Sequence, residues 1–170
     1  MKSSKQKKVE EEIQKHVKTY KEALKPLSDK FKQLETAAES FPVKYLKEED
    51  FDTHLLNAAS CRRESLKLKR SYISLFTSIK QVYDYYEAYI LLEIADEELN
   101  DKFDKITINL RESFLAKNKP LGNLKKLKNN IEMEMDYAQD IFRSFMTDES
   151  NFRRYVERLN EEERRSLWKD

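Results

Sequence analysis

Tyr72-Ile-Ser-Leu-Phe-Thr-Ser-Ile-Lys-Gln-Val-Tyr-Asp-Tyr-Tyr-Glu-Ala-Tyr-Ile90 sets Tyr72, Phe76, Ile79, Tyr83, Tyr86 and Ile90 at alternating steps of four and three. That rhythm is the seam of a heptad repeat, so the stretch reads as an α-helix with one face committed to packing. Upstream, Ile13, Val17, Tyr20, Leu24, Leu27, Phe31, Leu34, Ala38 and Phe41 form a similar seam, with Pro26 inside it. Proline removes one backbone hydrogen bond and crowds the preceding turn, so a kink that preserves register is expected there. Downstream the register becomes unclear around Ala95-Asp96, and Leu99, Phe103, Ile106, Leu110 and Phe114 then resume a helical stripe. Leu124, Leu127, Ile131, Met135, Ala138, Phe142 and Phe145 line a further face, and Phe152, Tyr155, Val156 and Leu159 a last one.

Breakers and caps divide this pattern. Pro42 and Lys119-Pro-Leu-Gly-Asn123 are the strongest stops, with neither Pro nor Gly between Pro42 and Pro120. The acids of Lys47-Glu-Glu-Asp50 suit a helix N-terminus, and Asn123 and Asp148 are expected N-caps. The expected fold is all-α: an elongated antiparallel helical bundle or coiled coil of about four to five helices in one domain over 1–170. The helices are expected at about 5–41 (kinked at Pro26), 48–95, 97–118, 123–146 and 149–166. Segment 48–118 is either one very long helix or a helix bent near Asp96.

Composition narrows the function. One glycine occurs in 170 residues, where roughly 7% is usual. Phosphate loops, dinucleotide loops and hairpins need glycine for positive φ or close backbone approach, so Rossmann, P-loop and sandwich folds are excluded. Charged residues reach 38%, against about 25% in ordinary domains. With 33 basic and 32 acidic residues the chain has no bulk attraction for polyanions. The longest uncharged apolar run, Ala88-Tyr-Ile-Leu-Leu92, falls far short of the ~20 residues that span a bilayer. The N-terminal sequence lacks the apolar stretch of a secretory signal. Cys61 has no second cysteine to bond with, which suits a reducing compartment. A soluble, intracellular and cytoplasmic protein is therefore expected.

Chemistry-bearing motifs are sparse. A di-iron bundle needs Glu-x-x-His, but Ile13 stands three before His16 and Phe51 three before His54. His54 and Cys61 share a helical face about 10 Å apart, too far to share a metal without other ligands. No catalytic residue, cofactor, metal or small-molecule substrate is expected. The tyrosines of residues 83–89 form the densest aromatic cluster, with Tyr83 and Tyr86 on the seam and Tyr85 and Tyr89 on a second face. A helix apolar on two faces is deeply buried or touches two neighbours.

Charge is segregated. Residues 62–70 carry five bases against one acid, and Glu93, Asp96, Glu97, Glu98, Asp101 and Asp104 form an acidic block. Glu93, Glu97 and Asp101 repel one another at four-residue steps, by about 0.2–0.5 kcal/mol per pair, and call for a basic neighbour. The blocks lie evenly about Val82. An antiparallel homodimer crossing there would pair Arg63, Lys67 and Arg70 with Glu93, Glu97 and Asp101, its two-fold axis passing through Phe76, Ile79, Tyr83 and Tyr86. Alternatively, each block is a solvated face or pairs with another helix of the same chain. The expected function is that of a non-enzymatic helical interaction or scaffold protein, a homodimer or a subunit of a larger assembly, with protein partners. The alternatives are a peripheral membrane-binding dimer presenting Arg62, Arg63, Lys67, Lys69 and Arg70, and nucleic-acid binding through 62–70 or Lys125, Lys126 and Lys128.

Overall fold

A computed structural model of the chain describes residues 4–39, 50–100 and 106–167. Phe41, Pro42, residues 47–49, Asp101, Lys102, Phe103 and Asp104 lie outside the described residues, and with them the break expected at Pro42. All elements among the described residues are helical: α1 Ser4–Glu39, α2 Phe51–Tyr89, a π-helical turn Ile90–Ala95, α3 Asp96–Asn100, α4 Ile108–Lys117 and α5 Lys119–Leu167. The chain is an all-α helical bundle.

α1 runs through Pro26 without interruption, and Tyr20 and Leu34, seven residues to either side of Leu27, are both buried, so the seam keeps its register. Near Asp96, where a bend is one of the two expectations, the helix makes a π-turn over Ile90–Ala95 and continues as α3. A single helix over 48–118 does not form, nor does one over 97–118. Thr107 is extended (φ −95°, ψ 160°) and its side chain accepts a hydrogen bond from the Leu110 amide, so it caps a new helix, α4.

The expected caps of the last helices are also displaced. Asn118 carries the cap: its Oδ1 accepts from the Leu121 amide at 3.1 Å and its carbonyl from the Gly122 amide at 3.0 Å. Pro120 then falls in the first turn of α5, where its missing N–H is not needed. Asp148 lies inside α5 and accepts from the Ser144 hydroxyl at 3.4 Å. The helices expected at 123–146 and 149–166 are therefore one. Its heptad is unbroken: Leu124, Ile131, Ala138, Phe145 and Phe152 are all buried at seven-residue steps.

Along α2 the same step buries Ala58, Ser65, Tyr72, Ile79 and Tyr86. The next step falls on Glu93, which is exposed, while Ile94 is buried. A π-turn bonds i to i+5 and so inserts one residue into the helix. That insertion moves the seam by one position, keeps Ile94 and Ala95 inside and leaves Glu93 and Glu97 facing water.

The chain forms two compact units. Unit 1 takes α1 up to Pro26 with Tyr72–Glu134. There α1 runs antiparallel to α2 and α3: Lys5 meets Glu93 and Glu97, Glu12 meets Tyr86, and the Tyr20 and Ser78 hydroxyls lie 2.8 Å apart. α5 runs antiparallel to α2, with the Tyr72 hydroxyl donating to Glu134 at 2.6 Å and Lys128 over the Tyr83 ring. Ile13, Tyr72, Ile79, Ile90, Leu124 and Ile131 are fully covered at its centre, each burial stabilising by about 1.5–3 kcal/mol. Unit 2 takes Leu27–Ser71 and Met135–Asp170. Its core gathers Leu34, Leu68, Phe145 and Phe152, with Phe51 edge-on to Phe152 at 5.4 Å between centroids.

Candidate functional site

The apolar residues expected at a dimer interface are packed within their own unit. Ile79, Tyr83 and Tyr86 are buried in the core of unit 1, and Phe76 is half-buried there. A two-fold axis through them would require the chain's own helices to leave α2. The acidic stripe does have a basic neighbour, on α1: Lys5 Nζ lies 3.2 Å from Glu93 and 3.3 Å from Glu97. These carboxylates hold the Lys5 ammonium above its ordinary pKa. Asp101 lies outside the described residues.

The basic block is largely consumed within unit 2. Arg62 pairs with the buried Glu149 at 3.1 Å, Lys67 with Glu64 at 2.6 Å, and Lys69 lies over the Phe142 ring. Lys30 also pairs with Glu64, and these two cations hold its carboxyl down at about 2. Arg63 and Arg70 are exposed. Of the other basic residues singled out, Lys128 sits over Tyr83 at 4.9 Å and Lys125 lines a cleft described below.

The histidines and the cysteine are packing elements. His16 stacks on Tyr20 and tilts against Tyr86, and His54 packs on Phe152 at 4.8 Å between centroids, where burial lowers its pKa. Cys61 is half-buried, and burial raises its pKa. Among the described residues no cluster of three or more His, Cys, Asp or Glu could hold a metal ion, and no helix is long and apolar enough to cross a membrane.

Two surface features of unit 1 remain. The first is the second apolar face of α2. Tyr85 and Leu92 are 60% and 65% exposed, with Ala88 between them and half-buried Tyr89 alongside. Tyr85 and Tyr89 stack at 6.1 Å, and Lys5 lies over the Tyr89 ring at 5.8 Å. Asp84 and Glu93 are exposed beside this face.

The second is a cleft of about 350 Å³ where α4 and the first turn of α5 meet α2. Tyr83 and Glu87 come from α2, Glu112, Leu115 and Ala116 from α4, and Leu121, Gly122 and Lys125 from α5. The Tyr83 hydroxyl donates to Glu87 at 2.6 Å, and burial, then that carboxylate, raises its pKa. α4 is held to α3 by Arg111, whose guanidinium makes two 3.0 Å bonds to Asp96. The cleft was not legible in the sequence, because its lining comes from three helices and includes Gly122, which reads as a turn. The nearest signal was that a lone glycine stood where helix periodicity resumes.

No family model, no curated protein and no solved structure matches this chain.

Proposed function

We propose that the protein acts without catalysis, by holding other proteins through its helical surface as a scaffold or assembly subunit. The open second face of α2 supports this reading. One face of that helix is closed over by the chain's own helices, while Tyr85 and Leu92 stay in water. A large apolar side chain left exposed forgoes about 1.5–3 kcal/mol that a docked partner recovers. Tyr85 and Ala88, i and i+3 on α2, and Leu92 in the π-turn that follows are the exposed anchors for a docked helix. Asp84 borders the face, so an amphipathic helix bearing a Lys or Arg opposite it is complementary, while Glu93 is already paired with Lys5.

The test is capture from the native source with wild-type chain and with the Tyr85→Glu/Leu92→Glu variant, both checked for equal helicity. A partner held by wild type and lost from the variant, through a basic amphipathic segment that binds as an isolated peptide, is the expected result. Equal capture by both chains rejects the reading.

A further inference from the structure

We propose that the cleft between α2, α4 and the first turn of α5 is a binding site for a primary aliphatic ammonium group with a short alkyl stem. It lies away from the Tyr85 face, since Tyr83 and Glu87 stand two residues from Tyr85, about 200° around the helix.

Gly122 is the chain's only glycine, yet nothing in the backbone asks for it. Its φ is not positive, and it sits within the first turn of α5. A Cβ built there meets nothing within 4 Å. Helix propensity favours alanine at such a position. What the missing side chain does provide is open space in the lining of a concave site that also includes the small Ala116. The volume, about 350 Å³, falls within the ~300–1,000 Å³ of ordinary ligand sites.

The lining selects the ligand. Among the lining side chains Glu87, Glu112 and Lys125 leave one net negative charge, with Lys128 bordering them over the Tyr83 ring, and Leu115 and Leu121 supply an apolar wall. An ammonium has three N–H donors. Three acceptor-bearing residues line the cleft: Glu112, Glu87, one of whose oxygens accepts from Tyr83, and Tyr83 itself. The first-turn amides of Leu121 and Gly122 are occupied by Asn118, so they are not open to an anion. A flexible alkyl stem lies on the leucines while the compact charge reaches the acids.

The test is titration of the full chain by amide-resolved NMR with n-hexylammonium, n-hexanol and hexanoate. The single glycine resonance reports directly on the site. Saturable ammonium binding that perturbs Ala116 and Gly122 is expected, with n-hexanol and hexanoate at least about tenfold weaker, as loss of one charge-assisted hydrogen bond implies. Glu112→Gln and Glu87→Gln each weaken it, Lys125→Gln leaves it equal or tighter, and Gly122→Leu abolishes it. Absence of saturable ammonium binding overturns the proposal. So does alcohol or hexanoate binding as tightly, a Lys125→Gln variant that weakens ammonium binding, or a helical Gly122→Leu variant that binds like wild type. A parallel titration with Nα-acetyl-lysine methylamide separates the two sources of the group. Tighter binding than n-hexylammonium identifies a lysine side chain of a protein, weaker binding a free amine, and either supports the site.

Discussion

Gly122 shows how far a residue can depart from what its type suggests. It reads as a turn and is helical, with free space where a side chain would stand. Gly122→Ala should raise stability by about 0.5–1 kcal/mol, read as a higher urea midpoint at unchanged slope. His54 carries a pH signature. Burial against Phe152 lowers its folded pKa below 6.5, so the unfolded chain binds the proton more readily. The stability His54 confers is present above pH 6.5 and is lost as pH falls from there through the lower folded value. Glu64 has its own, more acidic window: its contribution is present above about 4.5 and is lost as pH falls to about 2. Thermal unfolding against pH should show two separate declines. His54→Gln flattens the first and Glu64→Gln the second.

Among the elements, the π-turn is the device that reconciles α2 with α3. Deleting Leu92 removes the inserted residue and brings Ile94 seven positions after Tyr86, the regular heptad step. The variant should keep its helicity and its unfolding midpoint close to wild type. Deleting the exposed Lys80 instead rotates everything beyond it by about 100° and pulls Tyr83, Tyr86 and Ile90 off the core. Each of those side chains is worth about 1.5–3 kcal/mol, so that chain should unfold far earlier or fail to fold. Within the seam, Ile79→Ala should cost about 2–5 kcal/mol, measured by urea unfolding.

For the whole molecule, several of the charges singled out in the sequence find partners within each compact unit. Lys5 answers Glu93 and Glu97 in unit 1, and Arg62 and Arg153 answer Glu149 in unit 2. Reversing Glu93 and Glu97 to Lys should lower the melting temperature at low salt, and Lys5→Glu in the same chain should restore part of it. Reversal of Arg63, Lys67 and Arg70 to Glu should not restore it. The rescue should fade at high salt, because these groups are exposed.

Helicity, the heptad seams, the continuity of α1 through Pro26 and the need of the acidic stripe for a basic neighbour were legible in the residues themselves. Periodicity is a local property: at 3.6 residues per turn, the spacing of Tyr72, Ile79 and Tyr86 dictates both the helix and its buried face. The identity of what covers that face is not local. Only tertiary structure placed Lys5 on Glu93 and brought Glu112, Gly122 and Tyr83 to one cleft. Each of these depends on contacts between residues far apart in the chain, where side-chain reach and packing, rather than spacing along one helix, choose the partner.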